Sequence, residues 1–277
     1  MGGIVLSDQR GRIIIFIEER HQAILDMLGQ AGRITTGEIQ QRFGISYDSA
    51  KRDLRILEEK GLLKRTHGGA IMIRSVGWSG QTNEKTGKER AENVKDNYLD
   101  IAKRAIKEIG SQEVVYVTAA SVGYLMAQNM PDDQIFTVVT NSIAIAEELR
   151  KKGNITVILA GGEMSANGSF YDGFSMEILK RLHFDKCFIT SACISAKGGL
   201  SVQKSKNMEL LNTVIQNSRK VYGLYPVEKI GMDSVISICG LDSLDVLITD
   251  EEASEEDVRV FEDAGVTVIV ARKEMQE

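Results

Sequence analysis

Residues 45–71 read ISYDSAKRDLRILEEKGLLKRTHGGAI, and the fold of the N-terminal part of the chain turns on them. Ser46 is a natural N-cap and Gly61 a natural stop, so one helix is predicted between them. Ala50, Leu54 and Leu57 repeat at the i, i+4, i+7 spacing that gathers apolar side chains on one buried face. Tyr47, Lys51, Arg52 and Arg55 are left outward, mostly in the N-terminal half, while Glu58 and Glu59 lie at the far end. A randomly solvated face does not sort its charges in this way. A helix whose N-terminal half enters a major groove does. After Gly61, LLKRTHGGAIMI alternates like a hairpin with His67-Gly68-Gly69 near its tip. Such a wing lays Lys64, Arg65 and His67 along a DNA backbone, although His67 reads equally well as an exposed turn residue.

Upstream, EERHQAILDML (18–28) places Ile24, Leu25 and Leu28 on one face, an amphipathic helix ended by Gly29 and Gly32. Thr35-Thr36-Gly37-Glu38 has the T-x-x-E spacing of a capping box, opening a short second helix that runs to Phe43 and closes on Gly44. Three helices with so tight a turn between the second and third describe a helix-turn-helix.

Charge is divided along the chain in the same sense. Residues 1–75 hold 12 Lys+Arg against 9 Asp+Glu, a net of +3, so the rest of a chain of net charge −5 carries −8. A basic head on an acidic body fits nucleic-acid binding. With 277 residues, 43% hydrophobic and 26% charged, the chain has material for two soluble domains. The apolar run IIIFI is too short to span a bilayer, and the start lacks a secretory signal, so the cytoplasm is expected and no membrane partner. Cys187, Cys193 and Cys239 have no metal-ligand spacing and read as buried small hydrophobes.

Residues 75–90, SVGWSGQTNEKTGKER, are polar and read as a linker. Beyond it VVYVT, FTVVT, ITVIL, KCFIT, KVYGL, DVLIT and VTVIV alternate with helical stretches, which predicts βαβ units and a mainly parallel sheet. The expected organisation is an extension over 1–17, a winged helix-turn-helix over 18–74, the linker over 75–90, and a larger α/β domain over 91–277. Neither G-x-G-x-x-G nor a Walker sequence is present, so no cofactor is expected. Ligands in such sheets bind at strand ends. Thr140-Asn141-Ser142 could cradle a phosphate or simply cap a helix; Gly161-Gly162 could admit a ligand or form a turn; Lys229 could pair with an anion or stand exposed.

The motif S-x-x-S-A-K-R-D-L (46–54), followed by L-E-E-K-G-L-L-K-R-T-H-G-G-A (57–70), resembles the signature of the DeoR-type bacterial transcription regulators, which usually show S-x-x-T-I-R-R-D-L and an L-x-R-x-H-G-G wing. The resemblance implies that Ser46, Ser49, Lys51 and Arg52 face DNA, with Asp53 orienting Arg52 or the helix. Ser49 for Thr and Lys51 for Arg are departures, and a lysine cannot make the bidentate fork of arginine to guanine.

The body resembles the sensor domain of the same family, which is similar in fold to sugar-phosphate isomerases. VTNS, GGE, FDKCFI, GGLS, EKIG and DVLITD match its landmarks in order. The pocket matches less well. Thr118-Ala119-Ala120-Ser121-Val122 stands where the family has D-x-G-T-T, Tyr225-Pro226-Val227-Glu228-Lys229 where it has D-S-S-K, and Asn207 and Leu211 where a Glu and a Lys are usual. The resemblance therefore implies an effector site of Thr118, Ala119, Thr140, Asn141, Ser142, Gly161, Gly162, Asn207 and Lys229, poorer in carboxylates than usual.

Together these readings describe a regulator of double-stranded operator DNA, a repressor of a sugar-metabolism operon released by a small phosphorylated metabolite. It is expected to act as a homo-oligomer, dimer or tetramer, because operators pair half-sites. The alternative is a DNA-binding regulator whose body has lost sensing and serves oligomerisation or docking. Isomerase chemistry is not expected, since it needs a positioned acid/base pair where this chain has Thr118 and Asn207.

Overall fold

The computed structural model describes residues 6–7, 13–14, 17–31, 33–59, 63–66, 68–72 and 85–273. His67, the helix stop at Gly61 and most of the expected linker lie outside the described residues. The chain divides into two compact units, Met1–Ser75 and Val76–Glu277.

In the first unit two short strands, β1 (Leu6–Ser7) and β2 (Ile13–Ile14), pair antiparallel. They fall within the stretch read as an extension. Helix α1 spans Ile17–Ala31, β3 Arg33–Thr35, α2 Thr36–Phe43, α3 Tyr47–Glu59, β4 Leu63–Thr66 and β5 Gly69–Met72. Gly29 does not end α1, because packing of Ile24 and Leu28 in the core carries the helix through to Ala31. The capping box at the start of α2 is formed: the Glu38 amide donates to Thr35 Oγ1 at 3.1 Å, and the Thr35 amide donates to Glu38 Oε2 at 2.6 Å. Gly44 closes α2 at φ 61°, a left-handed conformation that costs glycine little.

Ala50, Leu54 and Leu57 of α3 are buried with Ile24, Leu28, Ile34, Ile39, Leu63 and Ala70 in one core. The hairpin β4–β5 acquires a third strand, in the order β3-β5-β4. Glycine is required at position 69, where a β-carbon would overlap the Ile34 carbonyl oxygen and lie 2.7 Å from Thr35 Cα.

In the second unit the elements run α4 (Gly87–Ala91), α5 (Asn97–Ile106), β6 (Val114–Val117), α6 (Ser121–Asn129), β7 (Phe136–Thr140), α7 (Ile143–Leu149), β8 (Ile155–Leu159), α8 (Gly173–Lys180), β9 (Phe184–Ile189), β10 (Cys193–Ser195), β11 (Gly199–Val202), α9 (Ser205–Gln216), β12 (Ser218–Leu224), β13 (Ile236–Cys239), β14 (Val246–Asp250), α10 (Glu255–Asp263) and β15 (Thr267–Ala271). A 3-10 turn, Val227–Lys229, follows β12. The seven apolar runs of the sequence become one parallel sheet of order β15-β14-β12-β9-β6-β7-β8. Apolar clusters pack on it, one around Tyr116, Phe184 and Leu247 and one around Val115, Phe188 and Tyr222. A smaller antiparallel sheet, β10-β11-β13, is an addition that the sequence pattern did not announce. Cys187 and Cys193 are buried as expected, whereas Cys239 is only partly buried, and burial pushes the Cys187 thiol up to about 12.

Residues 86–90, read as the end of the linker, belong instead to α4 and its N-cap, an ordered part of this unit. Thr86 caps α4 with a second box, accepting from the Glu89 amide at 3.2 Å while its own amide donates to Glu89 Oε2 at 2.6 Å. Buried Gly87 lies against the start of α6, with room for a β-carbon only 3.3 Å from the Ala120 carbonyl oxygen.

Candidate DNA-binding face and ligand cavity

On α3 the expected side chains stand clear of the core. Tyr47, Lys51, Arg52 and Arg55 are exposed, with Lys51 Nζ 4.7 Å from the Tyr47 ring centroid and Arg55 Nε 3.8 Å from Glu59 Oε1. Ser46 is the N-cap: the Ser49 amide donates to Ser46 Oγ at 3.2 Å, and the two hydroxyls share a 2.9 Å hydrogen bond. Both serines therefore hold the first turn as well as facing outward there. On the wing Lys64 and Arg65 are exposed. Glu58 pins β4 to the end of α3, accepting from the Arg65 amide at 2.8 Å.

Of the two roles expected for Asp53, orienting Arg52 or orienting the helix, the structure shows the second. Asp53 does not hold Arg52 but is buried at 3% exposure, accepting from Arg20 Nε at 2.7 Å and Arg20 Nη2 at 3.0 Å, with His21 Nε2 3.1 Å from Oδ1. The carboxylate thus orients the recognition helix by tying it to α1, leaving Arg52 free to face outward. Its partners lie 33 and 32 residues away, beyond any local reading.

In the second unit the ends of β6, β9 and β12 open onto a cavity of about 440 Å³. Of the expected effector residues Thr118, Ala119, Asn141, Asn207 and Lys229 line it. Thr140, Ser142, Gly161 and Gly162 do not, because the loop after β8 folds over the turn between β7 and α7. The Ile143 amide donates to the Gly168 carbonyl at 3.0 Å and the Phe170 amide to the Asn141 carbonyl at 3.0 Å. Buried Thr140 Oγ1 donates to the Val117 carbonyl at 2.9 Å, and Ser142 caps α7, its Oγ accepting from the Ile145 amide at 3.4 Å. Gly161-Gly162 is a turn: a β-carbon on Gly162 would run into Asp172, whose Oδ2 accepts from the Glu163 amide at 2.7 Å. Even Asn141 is committed, receiving Tyr116 OH at 2.8 Å on Oδ1 and donating Nδ2 to the Phe170 carbonyl at 2.9 Å.

Cations supply the cavity's character. Lys229 Nζ donates to Thr190 Oγ1 at 3.3 Å and to the Ser191 carbonyl at 3.2 Å, and lies 5.9 Å from the Tyr98 ring centroid. Arg90 of α4, absent from the sequence reading, donates Nη1 to the Lys85 carbonyl at 2.9 Å and Nη2 to the Ala119 carbonyl at 3.1 Å. Burial holds its guanidinium below the usual arginine range, with Tyr171 and Glu89 opposing the shift. Ala120, Ser121 and Val122 bring the start of α6 to the cavity wall, and that helix has no side-chain cap. Amides at such an end, beside two cations, make a place for an anionic group. The signal for Arg90 was present in Thr86-Gly87-Lys88-Glu89, a capping box of the same kind as that at Thr35.

Two family models match in sequence order. The DeoR-like helix-turn-helix domain covers residues 20–76, and the DeoR C terminal sensor domain covers residues 95–251. The chain belongs to the DeoR family. It is a DNA-binding transcription regulator, and the surface of α3 and the wing described above is that of its DeoR-like helix-turn-helix domain. Among DeoR-family relatives it is 30% identical to the HTH-type transcriptional repressor GlcR of Bacillus subtilis (strain 168), over 94% of this chain and 98% of that protein. It is 24% identical to the glycerol-3-phosphate regulon repressor of Escherichia coli (strain K12), over 84% of this chain and 90% of that one. A solved structure, ribose 5-phosphate isomerase A from Methanocaldococcus jannaschii, aligns with a TM-score of 0.37 and 13% identity, over 49% of this chain and 54% of that one.

Proposed function

We propose that this regulator represses a sugar-metabolism operon from the cytoplasm and leaves its operator when a phosphorylated sugar or related metabolite fills the cavity. The observation that carries the reading is the convergence of Arg90, Lys229 and the uncapped start of α6 on one cavity. The name of the Escherichia coli relative, a glycerol-3-phosphate regulon repressor, supports an effector of this chemistry. A sensing rather than a catalytic role is favoured because Glu89 is the one carboxylate among the lining residues, and its Oε2 is engaged by the Thr86 amide at 2.6 Å. A single winged head makes few base contacts, so the working form in this reading is a dimer or tetramer on paired half-sites.

The test is fluorescence anisotropy on the natural operator with a panel of sugar phosphates. One of them releases the wild-type protein, and Lys229→Ala abolishes that release while DNA affinity stays the same, since coupling requires differential binding to two states. Normal release of the Lys229→Ala variant would contradict the site. The rival reading, a body kept for oligomerisation or docking, is motivated by Thr118 and Asn207 standing where the family has acids. It gains the field if no sugar phosphate either releases DNA or raises the melting temperature.

A further inference from the structure

The cavity carries more positive charge than a single phosphate group answers. Lys85, Arg90, Lys204 and Lys229 line it against Glu89 alone. Four cations against one carboxylate leave a net charge of +3 at neutral pH. Glu89 is also held ionised as the cap of α4, chiefly by the Thr86 amide, and is not offered to a ligand. A phosphate monoester brings roughly −1.5 to −2 at pH 7, so the formal charge of the lining stays positive when one such group binds.

The cations sit on different elements. Lys85 precedes α4 and Arg90 lies on it, and Lys229 sits on the 3-10 turn after β12, beside Thr190. Lys204 is the residue preceding α9, a helix of 12 residues whose start carries no side-chain cap. Asn207, in the first turn of α9, lines the cavity with a buried Oδ1 that has no hydrogen-bond partner among the described residues.

Several polar groups of the lining are already engaged within the protein. Both amide atoms of Asn141 are committed, Asn167 Oδ1 receives the Ser169 amide at 3.2 Å, and Ser191 Oγ is shared with Tyr225 OH at 2.7 Å. With these groups committed, the charged side chains of the lining contribute most to recognition.

We infer that the ligand carries two separated acidic groups, as a phosphorylated sugar acid or a sugar bisphosphate does. One group lies with Arg90 and Lys229 at the start of α6, and the other with Lys204 at the start of α9, where Asn207 lines the cavity. The inference rests on the sensor reading above and names the ligand class of that same cavity.

Isothermal titration calorimetry of the full chain at pH 7.5 separates the two claims, with glucose 6-phosphate, 6-phosphogluconate, fructose 1,6-bisphosphate and inorganic phosphate as probes. At least one of the two doubly acidic compounds is expected to bind at least tenfold more tightly than glucose 6-phosphate or inorganic phosphate. Which of them does so tells a sugar acid from a bisphosphate. Lys204→Gln, an exposed substitution that leaves the melting transition in place, is expected to weaken that compound at least fivefold. Glucose 6-phosphate binding as tightly as both doubly acidic compounds, or an undiminished advantage in Lys204→Gln, overturns this inference and leaves the sensor reading standing. Absence of binding by all four compounds also overturns this inference, and the sensor reading is then decided separately by the wider panel of sugar phosphates on operator release and melting temperature.

Discussion

Arg52 and Leu54 lie two residues apart on α3 and face opposite ways, so their truncations separate recognition from stability. Arg52→Ala removes an exposed cation and is expected to weaken operator binding by about 1–3 kcal/mol with an unchanged melting temperature. Leu54→Ala opens a cavity in the core of the first unit and is expected to cost about 2–5 kcal/mol of stability. Anisotropy on the operator and thermal denaturation of both variants check the pair; an unshifted melting transition for Leu54→Ala would mean that the helix is rotated.

Asp53 differs from both neighbours. Asp53→Ala strands Arg20 and His21 without their acceptor, and removing one partner of a buried pair costs on the order of 3 kcal/mol. Its loss of DNA binding should therefore track unfolding, and an Asp53→Ala protein as stable as wild type would refute the tie between α1 and α3.

Between elements, the wing and α4 depend on contacts of opposite kinds. β5 can approach β3 only through Gly69, so Gly69→Ala must push β3 away, and the expected result is a lower melting temperature together with weaker operator binding. Wild-type values of both would show that the strand accommodates a methyl group. α4 is only five residues long and depends on its capping box. Thr86→Ala removes one half of the box, a change worth about 0.5–2 kcal/mol locally. Faster hydrogen exchange over residues 87–91 and weaker ligand binding through a loosened Arg90 are expected; unaltered exchange would mean that packing of Gly87 on α6 suffices to hold the helix.

Across the whole chain, the two units close separate apolar cores: Ile24, Leu54 and Leu63 belong to one, and Tyr116, Phe188 and Leu247 to clusters of the other. Scanning calorimetry is expected to show two transitions, of which a cavity ligand raises only the larger. One transition, or a shift of both by ligand, would count against independent units. Light scattering at micromolar concentration tests the proposed dimer or tetramer, and a monomer with and without DNA would contradict it.

What could be read without coordinates was whatever the chain states locally. The capping box at Thr35, the stop at Gly44, the buried stripe Ala50-Leu54-Leu57 and all seven strands of the parallel sheet follow from a period of 3.6, from short Val- and Ile-rich runs, and from caps whose partners lie three or four residues away. The same rule would have found α4 had the box at Thr86 been read within its polar surroundings. Folding alone decided the rest, because each remaining feature joins residues far apart in sequence. Asp53 takes Arg20 rather than the adjacent Arg52, across 33 residues, since burial of the carboxylate leaves it only partners from α1. Arg90 reaches the cavity by meeting the Ala119 carbonyl across 29 residues. Thr140 and Ser142 sit at a strand end as their motif requires, yet the loop after β8 closes over them, Gly161 and Gly162 are spent on a turn within that loop, and no local pattern records which strand end a distant loop will cover.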